Sequence, residues 1–151
     1  MTAAAFKRPE SVLVVIFTAA GEALLLKRSE HQAFWQSMTA SLEWSEHDRL
    51  AAARREVAEE TGITTEDGWR DWGVHHQYEI LPQWRYRYAP GVTHNTEHVL
   101  SVELPDRVAV RLHPREHEQY RWTDFHTAVK VATSATNRWA FTALAEARRF
   151  R

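Results

Sequence analysis

Cysteine is absent from this chain of 151 residues. That excludes disulfides and thiolate metal centres, and it suits a reducing compartment. Long apolar runs are also absent. The longest, Val12 to Phe17, is far too short to span a bilayer, so no membrane partner is expected. The opening MTAAAFKRPE lacks the apolar centre of a secretory leader, and a cytoplasmic location is the expectation. There is no repeat, low-complexity tract or linker-like composition. Charge of one sign is missing too: the net charge is −1. No overall field gathers polyanions, so an anionic substrate needs a local cluster or a metal ion. Nucleic acid is not an expected partner, because Arg85 and Arg87 around Tyr86 are weak grounds for one. What is present, 44% hydrophobic and 11% aromatic residues, fits one globular domain over 1–151 with a proper core.

The chain is organised around RREVAEETGI, Arg54 to Ile63. Glu56, Glu59 and Glu60 recur at i, i+3 and i+4, which sets three carboxylates on one narrow arc of a helix. Val57, with Leu50 and Ala53, falls on the neighbouring arc and faces a core. Thr61-Gly62-Ile63 reads as the helix end, with Gly62 as a left-handed cap. Carboxylates this close repel one another, and no lysine is interleaved with them. A hard divalent cation that takes oxygen ligands resolves the conflict: Mg²⁺, with Mn²⁺ as the alternative.

Around this helix the pattern predicts a buried strand over 11–17 and a hairpin partner over 23–28. A short strand and loop follow at 38–44. Ser45 is the expected N-cap of a helix over 46–61. Strands are expected over 69–80, 84–89, 97–104 and 120–122. Asp124 caps a short helix to Val131, and Ser134 caps a final one to Arg149 with Ala140, Phe141, Leu144 and Ala147 on its apolar face. Strands on both sides of one helix, followed by a C-terminal helix, give an α/β sandwich.

Arg55 to Ile63 matches every specified position in the second half of the Nudix box, G-x5-E-x7-R-E-U-x-E-E-x-G-U, where U is bulky and apolar. The first half departs from it. With Glu46 as the upstream glutamate, eight residues rather than seven separate it from Arg55, and Ala40 stands in place of the glycine. TASLEWSE, Thr39 to Glu46, is similar to the T-G-S-x-E-x-G-E run with both glycines replaced. Further runs resemble the dihydroneopterin triphosphate diphosphatase subfamily, also known for dATP hydrolysis: FKRP at 6–9, FWQSMT at 34–39, RYAPGVT-x-NTE at 87–97, REH at 115–117 and SxxNR at 134–138.

That resemblance implies a Nudix α/β/α sandwich with a mixed sheet. It implies Mg²⁺-dependent attack of water on a triphosphate, releasing pyrophosphate and leaving a pterin monophosphate for folate biosynthesis. A broader nucleoside triphosphate pyrophosphohydrolase acting on dATP is the alternative. A binding module that keeps the fold without catalysis is the reading from another class, prompted by the missing glycines and the shifted Glu46. By the same resemblance Glu56, Glu59, Glu60 and Glu116 are the expected metal ligands. Catalysis is expected of Glu56, Glu59 and Glu116, with Glu118 and Glu97 as rivals of Glu116. Arg55 and Glu46 take a structural role. Lys7, Arg28, Thr39, Tyr78, Glu79, Ile80, Leu81 and Ser134 are expected to contact substrate. Monomer and homodimer both stay open.

Overall fold

The computed structural model describes residues 6–29 and 34–148. Among them the chain forms seven strands in one mixed sheet. Strand β1 (Glu10–Thr18) lies at its centre, parallel to β6 (His94–Leu104), which pairs in turn with antiparallel β5 (Trp69–Glu79). The other edge of β1 is shared. β2 (Glu22–Arg28) pairs with it at Phe17–Ala23. β4 (Met38–Ser41) takes the stretch from Ser11 to Val14. β3 (Trp35–Gln36) and β7 (His117–Asp124) both pair with β2.

The strand period of two divides the apolar residues of β1 between two faces, and each face has its own core. Val12, Val14 and Ile16 pack with Leu100 and Val102 of β6 against Ala53 and Val57 of helix α1 (Arg49–Thr61). Leu13, Val15 and Phe17 pack with Val99 against α2 (Phe125–Val131) and α3 (Ala135–Arg148), where Phe125, Ala128, Ala140 and Phe141 meet them. Val57 and Phe141 are fully buried; full burial of such a side chain is worth about 1.5–3 kcal/mol. The result is the expected helix–sheet–helix sandwich with its C-terminal helix.

Several element boundaries differ from expectation; β6 and β7, for example, run over 94–104 and 117–124 rather than 97–104 and 120–122. Helix α1 starts at Arg49 rather than Glu46, and its N-cap is Asp48, whose carboxylate accepts from the backbone N–H groups of Leu50 and Ala51. The extra residue of the box therefore falls in the loop before the helix. Residues 82–87 form a 3₁₀ turn instead of a strand. Pro82 sets the first position, where no N–H is required, and the Arg85 side chain donates back to the Ile80 carbonyl. The C-terminal helix is described to Arg148; the expected last residue, Arg149, lies outside the described residues.

Gly68, just before β5, has φ +85, and a Cβ there would meet the backbone oxygen of Glu103 at 2.1 Å. The Gly68 carbonyl also accepts from the Glu103 N–H at 2.9 Å. Gly68→Ala is expected to lower stability by about 2 kcal/mol, from left-handed strain and a backbone clash together. Thermal unfolding reads this as a drop in Tm of about 4–8 °C. An unchanged Tm would mean that the turn moves away from Glu103 without cost.

Candidate active site

The carboxylates of α1 are held by one guanidinium. Arg55 Nη2 meets both Glu46 oxygens at 3.0 Å and Glu56 Oε1 at 2.9 Å, and its Nη1 meets both Glu59 oxygens at 3.1 Å. Burial works against the Arg55 charge, but hydrogen bonds with Glu46 and Glu59 raise its pKa above the usual arginine value. The loop carrying Glu46 is fixed in turn. The Glu43 N–H donates to Glu46 Oε1 at 2.8 Å, and Arg8 donates to the carbonyls of Glu43 and Glu46 at 2.9 and 2.7 Å. The shifted spacing of the box thus leaves the Glu46–Arg55 ion pair intact.

Arg55 sorts the glutamates. Glu59 is drawn along the exposed side of the helix, whereas Glu56 and Glu60 line a cleft of about 610 Å³, within the range of small-molecule sites. Burial raises the Glu56 carboxyl above the usual carboxylate range, Arg55 opposes this, and the charges of Glu59 and Glu60 add to it. Glu60 Oε2 is closed off from solvent without a hydrogen-bond partner among the described residues. It faces Nδ1 of the buried His117 at 3.6 Å, too far to bond.

Opposite these carboxylates the cleft is basic. Lys7 is held on β1's approach by its N–H bond to the Arg87 carbonyl, with its ammonium 5.8 Å from the Tyr88 ring centre. Burial lowers its pKa, the nearby charges of Arg87 and Arg28 lower it further, and Glu116 opposes them. Arg28 lies over Phe34 and Trp84, at 5.6 and 5.7 Å from their ring centres. A bulge between Lys27 and Arg28 shifts the β2–β7 register beside His117. Glu116 precedes β7 and enters the cleft, while its carbonyl takes the Ser29 N–H.

A third wall comes from the other side of the sheet. Asn95 Nδ2 donates to Ser11 Oγ at 2.8 Å and to the Tyr78 hydroxyl at 3.0 Å. Burial, then the charge of Glu97, push the Tyr78 hydroxyl up to about 12. Glu97, Ser134 and Thr136 complete this wall.

The cleft therefore brings together Lys7, Arg28, Thr39, Glu56, Glu60, Tyr78, Glu116 and Ser134 from the expected set. It leaves out Glu59, Glu79, Ile80 and Leu81. Glu79 pairs with Arg85 at 2.6 Å, Ile80 is buried elsewhere, and Leu81 is exposed ahead of the Pro82 turn. Glu118 is also outside, paired with Lys27 at 3.0 Å. Sequence reasoning gave no site role to Gln36, Asn95 or His117. The REH and NTE runs held the signal for His117 and Asn95, and only the fold gave it a direction.

The donor set fits a hard divalent cation. Glu60 has an orphaned buried oxygen, and Glu56 carries a charge that its burial disfavours; a cation relieves both. Among the described residues no three His, Asp or Glu side chains already form a closed ligand group. Two helix carboxylates plus water and phosphate oxygens are a normal set for Mg²⁺.

These features define a class. Residues 7–145 match the NUDIX domain, and the chain belongs to the Nudix family. Over 143 residues, 89% of this chain and 91% of the other, it is 38% identical to dihydroneopterin triphosphate diphosphatase of Escherichia coli K12. The enzyme of the same name from Haemophilus influenzae is 33% identical over 136 residues, 87% of this chain and 84% of the other. The solved structure of the E. coli dihydroneopterin triphosphate pyrophosphohydrolase superposes with a TM-score of 0.81, covering 90% of this chain and 94% of that one.

Proposed function

We propose that this protein is a Nudix hydrolase of phosphorus anhydrides that cleaves dihydroneopterin triphosphate to the monophosphate and pyrophosphate. One observation carries the reading: a single cleft sets the Glu56–Glu60 pair against Lys7 and Arg28, with a polar, aromatic-edged wall beyond them. The 38% identity to the E. coli diphosphatase supports the choice of substrate. The reaction must bring water to a phosphorus that already carries negative charge and stabilise a charged leaving group.

Glu56 and Glu60 would hold Mg²⁺, with Glu116 joining them from the β7 side. When bound, the ion supplies charge neutralisation on the phosphate oxygens and a more acidic water. Lys7 and Arg28 bind and orient the phosphate chain, and their cation–π seats keep both heads pointed at it. Thr39 and Ser134 offer hydroxyls, and Glu116, a carboxylate of the same cleft, would accept the proton of the attacking water. Glu59 keeps a supporting part through Arg55. One domain over 1–151 carries the activity. Among the described residues no helix is long and apolar enough to cross a membrane. A cytoplasmic location and a small-molecule triphosphate partner belong to the same proposal.

One prompt for a non-catalytic binding module, the shifted Glu46, loses its force because Glu46 still reaches Arg55; the other, the replaced glycines at Ala40 and Ser45, is answered by turnover itself. A panel of dihydroneopterin triphosphate, dATP and other triphosphates, scored by pyrophosphate release with and without Mg²⁺ or Mn²⁺, tests the proposal. The pterin is expected to lead by about tenfold or more in kcat/KM, as a site that hydrogen-bonds its substrate's polar edge discriminates well. Comparable values for dATP would replace this reading with the broader pyrophosphohydrolase.

A further inference from the structure

Glu97 is the least accommodated charge in the cleft that the phosphate chemistry does not use. It stands on β6, opposite Ser11 of β1 and His76 of β5. On the strand period it shares a face with Leu13, Val15 and Val99. That is the face covered by α3, the opposite side of the sheet from the α1 carboxylates. The side chain is 5% exposed, and its Oε1 has no hydrogen-bond partner among the described residues. Neither cross-strand neighbour bonds to it: Ser11 Oγ accepts from Asn95 Nδ2 and makes no hydrogen bond to Glu97, and His76 Nε2 is itself unpartnered among the described residues. Burial raises the Glu97 carboxyl above the usual range, and a hydrogen bond with the Thr136 hydroxyl offsets part of this. A buried acceptor without a partner is costly. At a cleft wall, a ligand's donors are the natural remedy.

We propose that Glu97 is a specificity residue that accepts hydrogen bonds from the heterocycle of the substrate, reading a ring N–H beside an exocyclic amine. The inference rests on the triphosphate-hydrolase reading above and adds the identity of the edge being read. A pterin presents such a two-donor edge, and so does guanine. Adenine presents an acceptor beside its amine, which mismatches an ionised carboxylate. Asn95 and the Tyr78 hydroxyl, already bonded to each other, brace the floor beside Glu97. The Ser134 and Thr136 hydroxyls, 3.3 Å apart at the start of α3, close the pocket from above. The ring site and the cation site thus lie on opposite faces of the sheet, and the triphosphate spans between them past Lys7.

Glu97→Gln tests this. The amide keeps size and shape and replaces one acceptor by a donor. Pyrophosphate release is measured for wild type and variant with dihydroneopterin triphosphate, dGTP and dATP. Where turnover of a nucleotide is slow, its inhibition constant against the pterin substrate gives the same comparison. The expected result is a loss of about 10–10²-fold in kcat/KM or affinity for the pterin and for dGTP, with dATP changed by less than about threefold. An equal loss for all three would overturn the proposal, because Glu97 would then act on the shared triphosphate or on the scaffold. No change for any would overturn it as well. A wild type that cleaves dGTP but not the pterin would defeat the substrate reading alone, and the dGTP/dATP pair would still decide the role of Glu97. Thermal unfolding of the variant, expected at or above the wild-type Tm because a buried charge is removed, excludes a folding defect as the cause.

Discussion

Glu60→Gln is expected to lower kcat by about 10³-fold, with KM changed far less. The side chain contributes a buried oxygen that nothing among the described residues satisfies, facing His117 beyond bonding distance. Such an atom is costly unless a ligand occupies it. A neutral amide fills the same volume and lacks the charge a hard cation requires. Stability should hold or rise, because the substitution removes one of three neighbouring negative charges on α1. Two readouts separate lost cation binding from general damage. Residual turnover in the variant should no longer respond to Mg²⁺ across the range that activates wild type. Mn²⁺ affinity, followed by water-proton relaxation, should weaken in parallel. Near-normal turnover would remove Glu60 from the ligand set and leave its buried oxygen unexplained.

Local chemistry was readable along the chain, and long-range pairing was not. REVAEETGI carries its own instructions. The i, i+3, i+4 glutamates, Val57 on the adjoining arc and a left-handed Gly62 at φ 78 are all consequences of helix geometry. The two-faced β1 followed from its continuous apolar run. The start of α1 was misread because Ser45 and Asp48 are both good N-caps, and composition does not choose between them. The choice falls to Arg8, which pins the Glu43 and Glu46 carbonyls from far away in sequence. At Pro82 an aromatic, β-prone run was overruled by a 3₁₀ turn that Arg85 closes onto Ile80.

The site shows the same division. Glu56 and Glu60 follow from helical spacing, whereas the separation of Glu59 from them follows from where Arg55 reaches. Tyr78 enters the cleft and Glu79 does not, because strand alternation turns neighbours to opposite faces. Glu97 is the clearest case. In the sequence it is a rival of Glu116 for the carboxylate beyond the helix. Only its place on a central strand, under α3, makes its charge an unmet demand.

Replacing Arg55 with Met is expected to cost both activity and stability, and the pH dependence identifies the cause. The guanidinium joins Glu46, Glu56 and Glu59, and the Glu46 and Glu56 side chains are each 16% exposed. Breaking a fully buried pair costs about 3–5 kcal/mol; Arg55 is a third exposed, and solvent screening reduces that to about 1–2 kcal/mol. The Glu56 carboxyl is already raised by burial, with Arg55 the main opposing influence, so the substitution raises it further. A carboxyl whose folded pKa is raised favours the native state below its unfolded pKa and loses that contribution as pH climbs through the folded value. The deficit of the variant against wild type should therefore be largest near neutral pH and shrink in acid, where Glu56 is protonated. Mg²⁺ should recover part of it by replacing the missing positive charge. Turnover should fall by about 10–100-fold, as expected when the partner that orients a metal ligand is lost. Arg55→Lys should restore some stability and little turnover, since a point charge cannot span three carboxylates as a planar fork does. A Tm deficit independent of both pH and Mg²⁺ would assign Arg55 to packing along its aliphatic stem instead.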